Sequence, residues 1–409
     1  MQAVKVLEVL EATVGGARKH VFQLLRGLDR ARFDVDLACS FERAAGIARE
    51  VEGLRSEGVR VAEVPMRRRP SPVSDLAALR ALERLMATED YALVHTHASK
   101  AGFLGRLAAR RAGVAAVLHT PHTFPFERRD TCLTALYRWL ERRAARWADR
   151  IVLVAESQRE VARAGGVGRR EQLAVVENGI AAPQADPAEL RRRYRAVLGI
   201  PQEAAAVGFV GRLAPQKDIQ TLLSIADELF RAVPGVQVFV VGGGGDHRYL
   251  RSLRPPMSEA AWRVAALGEA PGEPVVWSPE LPVRVLGSRG DAAELVAAFD
   301  AVLLPSLYEG LPYSLLEAMA LGVPVVASRV TGNRDAIEDG KSGCLAPVGD
   351  VAEFARAAVS LLTDPERRRA MGSAARARVA AEFTEERFLA RMATLYDEVL
   401  AEKLGRDAG

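Results

Sequence analysis

Short apolar runs alternate with amphipathic helical patterns along this chain, and that alternation limits its fold more than any other feature. The series opens with the run Ala3–Leu10 and a helix in which Val21, Leu24 and Leu28 recur at helical spacing. Further strands are predicted at Val35–Ala38, Leu93–Thr96, Ala115–His119 and Ile151–Ala155. A second series is predicted at Ala206–Val210, Val236–Val241, Val283–Leu286, Ala301–Leu304 and Val323–Ala327. Because parallel strands need crossover helices, the chain is predicted to be an α/β protein with two doubly wound parallel sheets.

Two stretches interrupt this alternation. A proline-bearing stretch, Ala181–Pro187, separates the two series, so we assign residues 1–183 to one domain and residues 184–384 to another. The proline-rich stretch Pro255–Pro282 is interpreted as an irregular insertion in the second domain. The length of 409 residues suits two large domains.

Composition excludes several classes of protein. With 49% hydrophobic and 26% charged residues the usage is globular, and no apolar run reaches the ~18–20 residues of a membrane-spanning helix. No signal peptide is visible. Cys39, Cys132 and Cys344 fit neither a disulfide framework nor a CxxC metal site, which indicates a cytoplasmic protein. The net charge of +4 is too small to indicate a nucleic-acid partner.

Hydride transfer to a dinucleotide is the first chemistry to test on two doubly wound domains. Its G-x-G-x-x-G fingerprint fails at Gly242–Gly245, because His247 stands where the third glycine belongs. Gly166-Val167-Gly168 fails in the same way. The run Gly242–Gly245 still allows two interpretations, a plain turn or a loop whose backbone N–H groups approach an anion.

Two glutamates at a strand-to-helix junction are the most informative polar residues. A strand is predicted to end near Leu304, and the loop after it carries Glu309. A helix is predicted from Tyr313–Ser314 to Gly322, with Glu317 in its first turn. Glu317 can complement the helix dipole there, but carboxylates at this edge of a sheet can also accept hydrogen bonds from sugar hydroxyls. The N–H groups of the helix start can hold a phosphate.

The sequence around these glutamates resembles the donor-site signature of retaining glycosyltransferases of family 4, which have the GT-B fold. Glu309 and Glu317 lie in the run E-G-L-P-Y-S-L-L-E-A-M-A-L-G-V-P-V-V. The run V-G-R-L-A-P-Q-K, from Val210 to Lys217, is similar to a second family segment, and Lys217 is one of six lysines in the chain. Further similarity lies in Gly15–His20, Val94–Gly102, Thr120–His122 and Glu177–Ile180.

This resemblance implies two Rossmann-like domains facing each other across a cleft, with a C-terminal helix near residues 385–409 packed on the first domain. It implies that Arg212 and Lys217 hold the diphosphate of a nucleoside-diphosphate sugar, since two cations neutralise the charge of the departing diphosphate. Glu309 would bind hydroxyls of the transferred sugar, and Glu317 would bind those of the ribose. No metal and no other cofactor is expected.

Backbone groups would complete the donor site. The loop at Gly15-Gly16 would approach the phosphates, because glycine permits close backbone contact. Pro312 lacks an N–H group. The amide contacts at the helix start would therefore come from Tyr313, Ser314 and Leu315.

Histidines gather near two predicted strand ends, at positions 95, 97, 119 and 122. The resemblance assigns His122 a place beside the anomeric carbon, where it would orient the sugar and stabilise positive charge through its backbone carbonyl. Acceptor-side candidates are His97, Ser99 and Lys100. His20 is either a capping residue or a site residue. A metal interpretation of the histidines stays open, although no suitably spaced cysteine or carboxylate set accompanies them.

The implied function is transfer of a sugar, with retention of configuration, from a nucleoside-diphosphate sugar to a hydroxyl acceptor. UDP is the expected nucleotide, and the expected acceptor is a polyprenyl-diphosphate-linked saccharide in cell-envelope polysaccharide synthesis. The alternatives are a soluble small-molecule acceptor, another GT-B enzyme such as a nucleotide-sugar 2-epimerase, and a non-catalytic binder of sugar nucleotides.

The segment Glu127–Arg150 bears on the acceptor, since it predicts a helix with two stripes. The apolar stripe is Leu133, Leu136, Leu140, Ala144 and Trp147. The basic stripe is Arg138, Arg142, Arg146 and Arg150, and Arg67-Arg68-Arg69 is a second basic cluster. The helix is either an ordinary amphipathic helix on the core or a contact with anionic lipid headgroups. The second interpretation predicts a peripheral protein on the inner face of the cell membrane.

Overall fold

The computed structural model describes residues 3–42, 47–67, 69–127, 131–267 and 273–405. The chain divides into two compact units, Met1–Asn178 with Glu385–Gly409, and Gly179–Thr384. The boundary predicted after residue 183 lies a few residues beyond this division. Each unit has helices around a largely parallel sheet, so the predicted α/β class with two Rossmann-like domains is confirmed.

The first unit contains a seven-stranded sheet among the described residues. Its strands are β1 (Val4–Leu10), β2 (Phe33–Cys39), β3 (Val61–Glu63), β4 (Leu93–His97), β5 (Ala116–Thr120), β6 (Arg150–Leu153) and β7 (Leu173–Val175). Its helices include α1 (Gly16–Gly27), α2 (Ile47–Ser56), α3 (Pro72–Thr88), α4 (Ser99–Ala112), α5 (Thr131–Ala145) and α6 (Gln158–Gly165). The strand order is β3-β2-β1-β4-β5-β6-β7, and all neighbours are parallel. Strands β3 and β7 were not predicted, because such short runs carry no readable periodicity.

The second unit is built in the same way. Its strands are β8 (Ala206–Val210), β9 (Gln237–Val241), β10 (Val275–Val276), β11 (Arg284–Gly287), β12 (Ala301–Leu304), β13 (Val325–Ser328) and β14 (Cys344–Ala346). Its helices are α7 (Pro187–Leu198), α8 (Ile219–Ala232), α9 (His247–Ser252), α10 (Glu259–Leu267), α11 (Ala292–Leu295), α12 (Tyr313–Ala320), α13 (Asn333–Ala336), α14 (Val351–Thr363) and α15 (Pro365–Glu382). The order is β10-β11-β9-β8-β12-β13-β14, and only the short β10 within the predicted insertion pairs antiparallel, among the strands described.

The C-terminal helix α16 (Glu385–Leu404) belongs to the first unit. Its buried side chains Phe388, Met392 and Tyr396 recur every four residues, as in a helix with one apolar face. They join the core cluster that contains Val6 of β1 and Leu24 of α1. Tyr396 is thereby brought beside polar residues of the first sheet.

Helix α4 approaches the first sheet closely because two glycines face it. A Cβ atom on Gly102 would lie 2.3 Å from His119 Cε1, and one on Gly105 would lie 2.7 Å from Thr96 Cγ2. Real Cβ atoms do not approach other heavy atoms so closely, so a larger side chain at either position would push the helix away. The lack of a side chain at Gly102 leaves room for the buried His119 ring.

Helix α5 exposes part of its predicted apolar stripe. Ala144 is buried, but Leu133 and Leu136 are 50% and 47% exposed, and the neighbouring Trp139 is 58% exposed. The stripe is therefore a core contact only towards its C-terminal end. Within the ranges described, no helix is long and apolar enough to cross a membrane.

The predicted basic stripe of α5 is not a uniform lipid-facing surface. Arg142 Nε donates to the Gly165 carbonyl at 2.6 Å, and Arg150 pairs with Glu402 of α16. Both arginines therefore contact neighbouring elements of the first unit, and the lipid contact of this stripe stays a prediction. Outside the described residues lie Arg68 of the second basic cluster and residues 128–130 of this segment.

Candidate functional site

The carboxyl edge of the second sheet brings together two of the charged motif residues. Lys217 ends a 3-10 turn after β8, and Glu309 lies in the loop after β12. Lys217 Nζ lies 2.5 Å from Glu309 Oε1, and the two side chains are 13% and 7% exposed. Strands β8 and β12 are neighbours in the sheet, so loops far apart in sequence meet at one edge.

Gln216 fixes the loop that carries Glu309. Its Nε2 donates to the Tyr308 carbonyl at 3.0 Å and to Glu309 Oε2 at 3.3 Å. The Leu307 N–H donates in return to the Gln216 carbonyl at 2.8 Å. Each carboxylate oxygen of Glu309 therefore has a donor, and the orientation of the carboxylate is set before any ligand binds. Gln216 was not predicted as a site residue; its position beside Lys217 was the only available signal.

The glycine run after β9 packs against the loop that contains Arg212. Arg212 itself is partly buried. A Cβ on Gly242, where φ is +135°, would lie 1.9 Å from the Gly211 carbonyl oxygen. One on Gly245 would lie 2.3 Å from the Leu213 carbonyl oxygen. Close packing of two backbones explains Gly242 and Gly245, and the anion-binding interpretation of the run stays a prediction.

Helix α12 begins at Tyr313, but Glu317 is the fifth residue of the helix and lies beyond its first turn. The prediction of a first-turn position was wrong, because a turn of about 3.6 residues counted from Tyr313 ends before Glu317. The dipole acts mainly within the first turn, so it gives little reason for a glutamate here. The N–H groups of Leu315 and Leu316 donate to the Pro312 carbonyl at 3.2 and 3.4 Å, so the Leu315 amide already has an acceptor.

Three buried side-chain oxygens near this edge lack a hydrogen-bond partner in the part of the chain that is described: Ser306 Oγ, Ser328 Oγ and Asn333 Oδ1. Ser306 follows β12 and Ser328 ends the neighbouring β13. Asn333 Nδ2 donates to the Ser328 carbonyl at 3.0 Å. Buried polar atoms are normally paired, so these oxygens are candidate contacts for a ligand or ordered water. No motif had indicated them.

Histidine rings from three elements form a cluster in the first unit. His97 ends β4, His122 follows β5, and His20 lies in α1. The centroid of His20 is 5.3 Å from that of His97 and 4.9 Å from that of His122. The rings of His97 and His122 stack at 5.5 Å. The structure therefore joins two predicted site histidines and adds His20 to them.

His122 has an uncommon backbone and a neutral side chain. Its φ of +59° is in the left-handed region, which is strained for a residue other than glycine and recurs at functional sites. Burial lowers the pKa of its imidazole well below the usual value. Its carbonyl accepts a hydrogen bond from Gln158 Nε2 at 2.8 Å. A carbonyl has two lone pairs, so this bond is compatible with the role expected for that oxygen.

A buried carboxylate that no motif indicated lies next to this cluster. Glu8 Oε2 accepts from His97 Nε2 at 2.5 Å, and Glu8 Oε1 accepts from the Tyr396 hydroxyl at 2.7 Å. Burial alone would raise the pKa of Glu8, but attraction to His95 and His97 and their hydrogen bonds outweigh it and hold that pKa well below its usual range. A single acidic residue inside the apolar run of β1 was the available sequence signal.

Glu8, His95 and His97 also meet the distance requirement for a metal site, since their ligand atoms lie within 4.8 Å of one another. Those atoms are already used, because Glu8 binds His97 and Tyr396, and His95 Nδ1 lies 2.7 Å from the Tyr396 hydroxyl. A cation would have to break these bonds. The donor set therefore suits a hydrogen-bonded network better than a metal centre, and the expectation that no metal is required stays a prediction.

The other first-unit candidates lie at helix starts. Gly15 precedes α1 with φ +69°, and no described atom lies within 4 Å of its Cβ position. Ser99 is exposed at the start of α4. Lys100 Nζ donates to Asp75 Oδ1 at 2.6 Å and to the Arg69 carbonyl at 2.8 Å. Lys100 thus links α4 to α3 in this structure.

Two family models match the chain, one in each unit. Residues 15–179 match the glycosyl transferase 4-like domain, and residues 204–364 match the family described as glycosyl transferases group 1.

Similar proteins extend over nearly the whole chain. Alpha-maltose-1-phosphate synthase of Mycolicibacterium smegmatis is 30% identical over 404 residues, which are 95% of this chain and 96% of that protein. UDP-Gal:alpha-D-GlcNAc-diphosphoundecaprenol alpha-1,3-galactosyltransferase of Escherichia coli is 28% identical over 370 residues, 88% of each chain. HepE of Anabaena, solved with UDP and glucose, has the same fold, with a TM-score of 0.75 at 21% identity over 97% of this chain and 100% of that one.

The paired strand-end motifs, the two matching family models and the full-length relatives agree with one another. The chain belongs to the group 1 glycosyltransferases, the family-4 enzymes with the GT-B fold.

Proposed function

We propose that this protein transfers a sugar from a UDP-linked donor to a hydroxyl acceptor with retention of the anomeric configuration. The observation that carries the proposal is the Lys217–Glu309 ion pair, which joins a motif cation to a motif carboxylate at 2.5 Å. A lysine ammonium has three donors, so Lys217 can hold Glu309 and a diphosphate oxygen together. Glu309 can then accept hydrogen bonds from the transferred sugar. The Escherichia coli relative is named for a UDP-linked donor, which supports uridine.

In the proposed reaction the bond between the anomeric carbon and the diphosphate oxygen breaks. The acceptor hydroxyl attacks from the same face, and its proton passes to the departing phosphate oxygen. Arg212 and Lys217 stabilise the negative charge that develops there, a contribution of ~3–4 kcal/mol per donor in comparable sites. Because two cations can provide this stabilisation, we propose that the reaction needs no metal. His122 orients the sugar and stabilises positive charge through its backbone carbonyl, and it does not act as a general base because burial holds the pKa of its imidazole well below the usual value.

The donor site is tested by two substitutions. Arg212→Ala is expected to lower kcat by ~10²–10³, because it removes a cation that acts in the transition state. Glu317→Ala is expected mainly to raise the KM of the donor. UDP release and product formation are measured with and without EDTA, and NMR of the product gives its anomeric configuration.

Arg231→Ala on α8 is the control, since its side chain is 63% exposed and pairs with Asp227 and Glu228 of the same helix. Normal turnover of Arg212→Ala would contradict the assignment of Arg212 to the donor site. An inverted product would contradict retention, and activity lost in EDTA but restored by a divalent cation would contradict metal independence.

We further propose a polyprenyl-diphosphate-linked saccharide as the acceptor, reached at the cytoplasmic face of an anionic membrane. Leu133, Leu136 and Trp139 lie three residues apart on the exposed side of α5, and the exposed Arg143 and Arg146 follow them. Apolar side chains with a tryptophan can enter the headgroup boundary while arginines attract anionic lipids. The Escherichia coli relative is named for a diphosphoundecaprenol-linked acceptor. This contact differs from the predicted basic stripe, because apolar residues carry it.

Vesicle co-sedimentation tests the membrane contact. The double variant Leu136→Ser/Trp139→Ser is expected to lower binding to anionic vesicles about tenfold or more, because each side chain buries apolar area in the bilayer. Val197→Ser is the control, since Val197 is 59% exposed on α7 of the other unit. Salt should weaken the binding of the unchanged protein. Equal recovery with neutral and anionic vesicles, or no effect of the double variant, would contradict the contact.

A soluble phosphorylated sugar is the second candidate acceptor, because the Mycolicibacterium smegmatis relative is named for alpha-maltose-1-phosphate. Incubation with a labelled UDP-sugar and each acceptor class in turn separates the two. Label in a lipid-extractable product supports the lipid-linked acceptor, whereas label in a water-soluble phosphosugar supports the alternative. An altered nucleotide sugar without transfer would indicate a 2-epimerase.

A further inference from the structure

Glu8 determines which nitrogen of His97 carries the proton. An ionised carboxylate only accepts hydrogen bonds, so the 2.5 Å contact requires that His97 Nε2–H donates to Glu8 Oε2. Burial lowers the pKa of His97 to about 4, so the ring carries a single proton at neutral pH. His97 Nδ1 therefore presents a lone pair. This nitrogen is buried and has no hydrogen-bond partner among the described residues.

His20 repeats this arrangement beside it. Its Nδ1 lies 2.9 Å from Asn178 Oδ1, an acceptor, so the proton is on Nδ1 and the lone pair is on Nε2. That nitrogen is also buried and unpaired within the described ranges. Burial lowers the pKa of His20 to about 3, which keeps the ring neutral. Two neutral imidazoles with centroids 5.3 Å apart thus each offer a hydrogen-bond acceptor.

The chemistry of these acceptors selects a ligand. Leaving a buried acceptor without a partner is energetically unfavourable, so a donor from outside the protein is expected to pair with it. Imidazole lone pairs repel phosphate oxygens and attract O–H donors. The hydroxyl-rich part of the proposed substrates is the saccharide.

We infer that Glu8 is a positioning residue for a saccharide-hydroxyl site, in which His97 Nδ1 and His20 Nε2 accept hydrogen bonds from a bound sugar. The inference rests on the proposed transferase function, whose donor sugar and acceptor sugar both carry such hydroxyls. Tyr396 supports Glu8 from the other side, since its hydroxyl donates to Glu8 Oε1 at 2.7 Å. Helix α16 thus contributes to the site without touching the sugar.

Ring-nitrogen NMR of protein labelled with ¹⁵N-histidine tests the inference on the unchanged enzyme. His97 is expected in the form protonated on Nε2. Its Nδ1 signal should move when UDP-glucose or a short-chain GlcNAc-diphospholipid is added, and should stay unchanged with UDP alone. The compound that moves it identifies the sugar that occupies the site. A proton on Nδ1 of the free protein, no response to either saccharide, or a response only to added zinc would overturn the inference.

Two variants separate positioning from mere structural support. Glu8→Gln introduces an amide that can donate to His97 Nε2, so the ring proton should move to Nδ1 and the KM of that saccharide should rise roughly tenfold or more. The affinity for UDP should be unchanged. Tyr396→Phe leaves the Glu8–His97 contact in place, so it should retain the original ring form and a KM within about twofold of the unchanged enzyme.

The outcomes are distinct from those for the proposed function. An unchanged ring form in Glu8→Gln overturns the role of Glu8, and a changed ring form with an unchanged KM overturns the sugar site. If Glu8→Gln fails to fold, the NMR titrations of the unchanged enzyme with the two saccharides still test whether a sugar binds at His97. Absence of transfer by the unchanged enzyme contradicts the transferase proposal instead, while the spectrum of the free protein still reports the proton position.

Discussion

Lys217→Met removes the positive charge of the Lys217–Glu309 pair while keeping most of the length of the side chain. The two side chains are only 13% and 7% exposed, so Glu309 would keep a charge with little access to water. Removing one partner of a buried pair costs about 3–5 kcal/mol. Gln216 still donates to Glu309 at 3.3 Å, so we expect a loss of about 2–3 kcal/mol in the stability of the second unit.

The double variant Lys217→Met/Glu309→Gln leaves no buried charge without a partner at this pair. It should therefore be more stable than Lys217→Met alone, with a coupling energy of about 1–2 kcal/mol between the two positions. Hydrogen exchange of the β8 and β12 amides measures this locally, which avoids assuming that both units unfold together.

Activity should behave differently from stability. Lys217→Met should lower kcat by ~10²–10³, because the cation also stabilises the departing diphosphate. The double variant should recover stability but not turnover. A double variant no more stable than Lys217→Met would show that charge pairing does not hold this edge together, and normal kcat in either would refute the catalytic assignment.

Two further predictions concern the first unit. Gly102→Ala should destabilise it by about 1–3 kcal/mol in thermal unfolding, because the new Cβ would meet the His119 ring at 2.3 Å. Gly53→Ala, in open space on α2, should be neutral or stabilising, and equal effects of both would contradict the packing argument. Burial lowers the pKa of His20 from 6.5 to about 3 and that of His97 from 6.5 to about 4. Between pH 6.5 and 4 the unfolded chain therefore binds protons at both rings that the folded unit does not bind. The free energy of unfolding of the first unit should therefore fall as the pH drops below 6.5, by up to ~1.4 kcal/mol per pH unit for each ring. Equal protection of the β1 and β4 amides from hydrogen exchange at pH 7.5 and at pH 5 would refute this.

Strand periodicity and local motifs were sufficient for the fold class and for the donor-side candidates. Every predicted strand is present, because buried parallel strands are continuous apolar runs that can be read locally. Lys217 and Glu309 follow strand ends that were both predicted. Their pairing depended on β8 and β12 being neighbours, and strand order is set by packing between distant segments.

Other features were decided only by tertiary structure. The pattern of the segment Glu127–Arg150 showed two stripes but not their contacts: Arg142 donates to the Gly165 carbonyl and Arg150 pairs with Glu402, while Leu136 stays exposed. The Glu8–Tyr396 contact joins residues 388 positions apart. Neither residue has a local signal for the other, because their hydrogen bond exists only once the last helix packs on the first unit.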